Sequence, residues 1–128
     1  MLSLMVGVAV ATLLGAAGDP VKGKKAFEKC AACHSFEESK AAGPTLKGVF
    51  GRKAGSLEDY RYSAAMARSD IVWDRTTMDR FITDSQAYLK GNRMAFAGMG
   101  DGSERDDLLA YIEQMAKPPE QARDLPER

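Results

Sequence analysis

The chain has 128 residues, enough for one ordinary domain. Lys plus Arg number 18 and Asp plus Glu 18, so the formal charge is zero and the basic excess of a general nucleic-acid binder is absent. Its 45% hydrophobic and 28% charged residues are globular in composition, and two cysteines exclude a disulfide-dense scaffold or a four-thiolate zinc or iron–sulfur site.

Met1 to Gly18 contains no charged side chain and turns small at Gly15-Ala16-Ala17-Gly18. An apolar run closed by small residues is a secretory leader pattern, here residues 1–17 with a cut after Ala17. No Lys or Arg precedes the run, and a retained N-terminal anchor is the rival reading. As a helix the segment would span about 27 Å, slightly short of a hydrocarbon core. The folding domain is expected over residues 18–116. Lys117-Pro118-Pro119 stops any helix, leaving 117–128 as a polar, flexible tail.

Asp19 as N-cap and Pro20 at the first helical position open a helix, with Gly23, Ala26, Phe27 and Cys30 on one face. Ser39 to Gly55 reads as loop, and Ser63 to Arg68 as a short helix. Asp74 is placed to cap a helix from Arg75 to Thr83, with Met78, Phe81 and Ile82 inward; Asp84 is placed to cap another through Leu89. Gly91 to Gly102 is a glycine-punctuated loop holding Met94, Phe96 and Met99. Ser103 with Asp106 opens a last helix in the style of a capping box, with Leu108, Tyr111, Ile112 and Met115 as its apolar stripe. No hairpin pattern appears, so the fold class is all-α with long loops. So thin a core calls for something else to fill the middle.

Cys30-Ala31-Ala32-Cys33-His34 is C-x-x-C-H, the signature of covalent haem attachment. Two thiols two residues apart on a helical turn can each add to one of two neighbouring vinyl groups. His34 then presents an imidazole to one axial face of the iron. A thioredoxin-like dithiol would need a βαβ setting, and a zinc site would need further spaced ligands; neither is present.

His34 is the only histidine, so the sixth ligand is Met, Lys, water or nothing. Met94 sits in a loop flanked by small residues, where packing gives it less reason to be than Met78 or Met115 on helix faces. It is the favoured ligand, and Met99 is its rival. A thioether favours the ferrous state and closes the iron to small molecules, which argues for electron transfer.

From about Gly18 to Ile112 the chain resembles the class I cytochromes c, of the mitochondrial and α-proteobacterial soluble type. The landmarks are Gly18-Asp19, Gly23-Lys24-Lys25, the haem motif, Gly43-Pro44-Thr45-Leu46 and Gly48-Val49-Phe50-Gly51-Arg52. They continue through Tyr62-Ser63-Ala64-Ala65, Ile71-Val72-Trp73, the Met94-Ala95-Phe96-Ala97-Gly98 loop, and Arg105 with Leu108-Leu109-Ala110-Tyr111. The resemblance implies the cytochrome c fold, about five short helices around one haem c bound covalently through Cys30 and Cys33. It implies His34 and Met94 as iron ligands. The Pro44 carbonyl would accept from the His34 ring. Arg52, Tyr62 and Trp73 would hold an inner propionate, Phe96 would cover the haem edge, and Asn92 would join the cofactor-binding set. Gly23 and Phe27 would meet Leu108 and Tyr111 where the first and last helices cross.

Several positions depart from that family. Phe81 stands in place of a tyrosine that bonds the axial sulfur, Met66 in place of an asparagine, and Ser85 follows Asp84 where Asn-Pro is common. Lys29 and Arg93 match the family's basic ring, but Gln86, Ala87, Gly100 and Asp101 replace lysines, so steering toward acidic partners should weaken. The resemblance implies a monomeric one-electron carrier rather than an enzyme. It would sit in the periplasm and meet reductase and oxidase or reaction-centre type partners transiently, in a respiratory or photosynthetic chain. No nucleic acid is involved, and the membrane only if residues 1–18 are retained. The alternative is a haem-based sensor or peroxidase-like cytochrome with a labile sixth ligand.

Overall fold

The computed structural model of the chain describes residues 18–117. The expected leader and most of the expected tail lie outside the described residues. Among the described residues six helices form: α1 (Pro20–Ala26), α2 (Glu28–Ala31), α3 (Ala64–Arg68), α4 (Arg75–Thr83), α5 (Ser85–Tyr88) and α6 (Gly102–Ala116). Among the described residues there is no strand, only isolated bridges at Lys40–Gly43 and Lys53–Val72. No helix among them is long and apolar enough to cross a membrane.

Local signals set most boundaries. Asp19 accepts from the Val21 N–H, with Pro20 next in line. Asp74 and Thr77 form a reciprocal capping box on α4, and Asp84 caps α5 through the Ala87 N–H. The expected first helix is two pieces. At Phe27 the bonding pattern shortens, its carbonyl accepting from both Cys30 and Ala31 N–H, while its backbone stays helical.

The start of α6 differs from expectation. Asp101, not Ser103, is the cap; its carboxylate accepts from the Ser103 and Glu104 N–H groups. The carboxylate satisfies two orphan donors at once, and the helix begins two residues earlier, at Gly102. The buried face of α6 is also rotated from the expected stripe. Leu108, Leu109, Ile112 and Ala116 are buried, whereas Met115 is 43% exposed. A helix face is chosen by its neighbours, and α6 packs against both α1 and α4.

The crossing of α1 and α6 organises the domain. At Gly23 a side chain would fall inside the Asp107 carbonyl and against Tyr111 Cβ, so glycine permits the contact. The Asp19 N–H donates to Asp107 Oδ1 at 2.8 Å, fixing the register. Phe27 packs on Phe36 and Tyr111, with centroids 5.0 and 5.4 Å away. On the other side α6 meets α4 through Arg105 and Asp79 at 2.9 Å and through the Arg75–Glu113 pair. Phe81, Ile82, Trp73, Val49 and Met99 complete the core.

Candidate haem centre

The end of α2 delivers both thiols and the imidazole. The Cys30 carbonyl accepts from the N–H groups of Cys33 and His34, at 3.1 and 2.9 Å, so one helical turn carries all three side chains. Both cysteines are free thiols. Burial pushes the Cys30 thiol up to about 11, with Lys29 opposing and Cys33 adding.

His34 is held from behind. Its Nδ1 lies 2.8 Å from the Pro44 carbonyl oxygen; a carbonyl only accepts, so Nδ1 carries the proton. Nε2 is then left with its lone pair for a metal. Burial lowers the His34 pKa, the Pro44 bond opposes this, and Arg52 and Lys40 lower it further. The ring is therefore neutral at pH 7, as a ligand must be. The loop behind it is pinned by Lys40–Gly43 bonds, by Thr45 N–H to Ser39 Oγ, and by Leu46 N–H to the Ser35 carbonyl. Gly43 backs directly onto the ring.

Met94 and Met99 part company. Met99 is buried in the core at 3% exposure, its N–H bonded to the Ile82 carbonyl and its carbonyl accepting from Arg105. Met94 is half-buried and packs against the core from outside it. Its N–H donates to Asn92 Oδ1 at 2.9 Å, and its carbonyl accepts from the Phe96 N–H. Phe96 is half-buried in the same loop.

Arg52, Tyr62 and Trp73 are brought near one another by different means. The Trp73 N–H donates to the Arg52 carbonyl at 2.9 Å, and the Gly51 N–H to the Trp73 carbonyl at 2.7 Å. The Arg52 guanidinium donates to the Thr45 and Lys47 carbonyls, at 2.8 and 3.3 Å. Burial lowers its pKa, against the pull of Tyr62 and Asp59; burial likewise raises that of Tyr62. Trp73 is buried with its ring 5.1 Å from Phe81.

The residues present fit a haem. Cys30, Leu46, Met66, Ile71, Leu89, Met94 and Phe96 pack against the core while remaining only partly buried. Apolar side chains left half-covered on one domain are the complement of a large apolar group. Among the described residues no three His, Cys, Asp or Glu side chains converge to hold a metal ion, so a zinc site built from these side chains is not formed. One neutral imidazole that can ligate iron, with two thiols on the same turn that can bond a porphyrin's vinyl groups, suits a covalently attached haem.

The cytochrome c family profile matches residues 20–116. The chain belongs to the cytochrome c family. It is 43% identical over 98 residues to cytochrome c2 of Rhodoplanes tepidamans, covering 75% of this chain and 92% of that protein. It is 43% identical over 102 residues to cytochrome c-550 of Nitrobacter winogradskyi, covering 78% and 94%. Among solved structures, cytochrome cH from Methylobacterium extorquens superimposes with a TM-score of 0.72 at 40% identity, covering 76% of this chain and 99% of that one. Members of the family are electron carriers rather than enzymes, and they bind haem c covalently. Cys30 and Cys33 are the two cysteines that fit its attachment motif.

Several residues of this centre escaped the sequence reading. Gly43 was legible only as part of a Gly-Pro loop, although its lack of a side chain makes room for His34. Phe36 joins Phe27 and Tyr111 in an aromatic cluster that no spacing foretells. Ser85 and Gln86 appeared only as departures from the family, yet both take part in the hydrogen bonds around Asn92.

Proposed function

We propose that this cytochrome c shuttles single electrons between protein partners, using a haem c with His34 and Met94 as axial ligands. When bound, the haem supplies a one-electron iron couple. Cys30 and Cys33 fasten it, and His34, held by Pro44, turns Nε2 toward it. The contrast between the two loop methionines carries the Met94 assignment: Met99 is consumed by the core, while Met94 is not. Met94 excludes small molecules from the sixth position, and Phe96 shields the edge beside it. Arg52, Tyr62 and Trp73 hold an inner propionate, the guanidinium offsetting its charge.

The protein acts outside the cytoplasm, in the periplasm, as a monomer within a respiratory or photosynthetic chain. The apolar, small-residue-terminated run at 1–17 supports export. Partners are reductase and oxidase or reaction-centre type complexes, met transiently.

Absorption spectra of the haem-matured protein, oxidised, reduced and then exposed to carbon monoxide, test the ligation. The expected result is a c-type spectrum that carbon monoxide leaves unchanged. A shift with carbon monoxide would mean an open sixth site, and the sensor or peroxidase-like reading would replace this one. The mass of the mature chain tests whether residues 1–17 are removed.

A further inference from the structure

Asn92 is buried, at 6% exposure, in a loop whose neighbours Gly91 and Arg93 are exposed. Its amide Nδ2 donates to the carbonyls of Ser85 and Leu89, both at 2.8 Å. Its Oδ1 accepts from the Met94 N–H at 2.9 Å. Its own carbonyl accepts from Gln86 Nε2 at 2.8 Å, and Gln86 Oε1 accepts from the Gly91 N–H at 3.2 Å. Ser85, fully buried, donates its hydroxyl to the Phe81 carbonyl at 2.8 Å. A continuous chain of hydrogen bonds thus runs from the end of α4, through α5, to the backbone of Met94.

We infer that Asn92 is a positioning residue for Met94: it clamps the methionine backbone to α5 and so holds the thioether in place. Both donors and the side-chain oxygen are spent on protein groups, so Asn92 acts through Met94. The chemistry demands an amide. Aspartate has the same shape and keeps the acceptor for Met94, but it loses both donors and sets a carboxylate against two carbonyls, one of them buried. Alanine loses all three bonds. Gln86 closes the loop from the exposed side, so the clamp has two jaws, both on α5.

The inference rests on Met94 being the sixth ligand, and the experiment separates the two. The haem-matured wild type, Asn92→Asp, Asn92→Ala, Met94→Ala and Ile112→Val are titrated with imidazole in the ferric state. The sulfur-to-iron absorption is recorded alongside. Imidazole competes with the internal ligand, so its apparent affinity reports the fraction of molecules with an open sixth position. The expected result is a tightening of about tenfold or more for Asn92→Asp and Asn92→Ala, approaching Met94→Ala, with loss of the sulfur band. Ile112→Val, which thins the core on α6 and touches none of these hydrogen bonds, should leave affinity and band unchanged. An Asn92→Asp protein that keeps the wild-type band and imidazole affinity overturns the clamp. So does an Ile112→Val protein that loosens as much, because general destabilisation would then account for the effect. A wild type already lacking the sulfur band overturns Met94 ligation itself.

Discussion

Gly43 backs onto the His34 ring so closely that a β-carbon there would lie 2.9 Å from Cε1 and 2.6 Å from the Cys33 carbonyl oxygen. The imidazole therefore reaches its Pro44 partner only because residue 43 has no side chain. In Gly43→Ala the ring or the Cys33 peptide must move, and the Nδ1 bond to Pro44 lengthens. The expected outcome is a lower yield of haem-attached protein, a lower melting temperature and a shifted reduction potential. A fully matured variant with wild-type potential would show that the loop gives way instead.

Gly23 faces an equally hard wall at the Asp107 carbonyl. Alanine gains about 1 kcal/mol in helix propensity. Overpacking against a backbone atom costs about 1–3 kcal/mol or more, and a carbonyl in mid-helix cannot rotate aside. The loss wins, and Gly23→Ala should be destabilised by about 2 kcal/mol in urea unfolding of the matured protein.

Arg105 serves two partners with one guanidinium, Asp79 through Nε at 2.9 Å and the Met99 carbonyl through Nη1 at 2.8 Å. Its side chain is only 16% exposed. A lysine ammonium has no fork to span both. Arg105→Lys should cost about 1–2 kcal/mol and Arg105→Ala more, because alanine also leaves the Met99 carbonyl unpaired. Equal stability of the lysine variant in denaturant titration would mean that only charge matters here.

The Thr77 backbone N–H holds the Asp74 carboxyl below its ordinary value of 3.8, with the Thr77 hydroxyl assisting against some desolvation. A carboxyl with a depressed folded pKa adds stability above the unfolded value, and this is lost as pH falls through the folded one. Asp74→Asn should therefore melt below wild type near neutral pH. The two should converge as pH falls from 3.8 through the lower folded value, below which both present an uncharged cap. Parallel melting curves down the whole acid range would remove the charged cap from the account.

The chemistry of this protein was legible because it is local. C-x-x-C-H at 30–34 puts two thiols and an imidazole on one turn whatever surrounds them, and a lone histidine leaves one axial place to another residue type. The caps at Asp19, Asp74 and Asp84 were legible for the same reason, since cap and first turn are adjacent in the chain. Even so, local competition misled once: Asp101 outbid Ser103 by serving two N–H groups.

Contacts between distant segments decided the rest. Which face of α6 is buried depends on where α1 and α4 lie, so Leu109 turned inward and Met115 outward. The split between a core Met99 and a half-covered Met94 depends on Ile82 and Arg105, which no spacing brings to mind. Asn92 was legible only through the family resemblance, as one of the cofactor-binding set; its three partners come together only once α5 folds back on the loop. The sequence by itself determined which side chains could bind a haem. The tertiary structure decided which were free to do so, because burial and hydrogen bonding are set by neighbours remote in the chain.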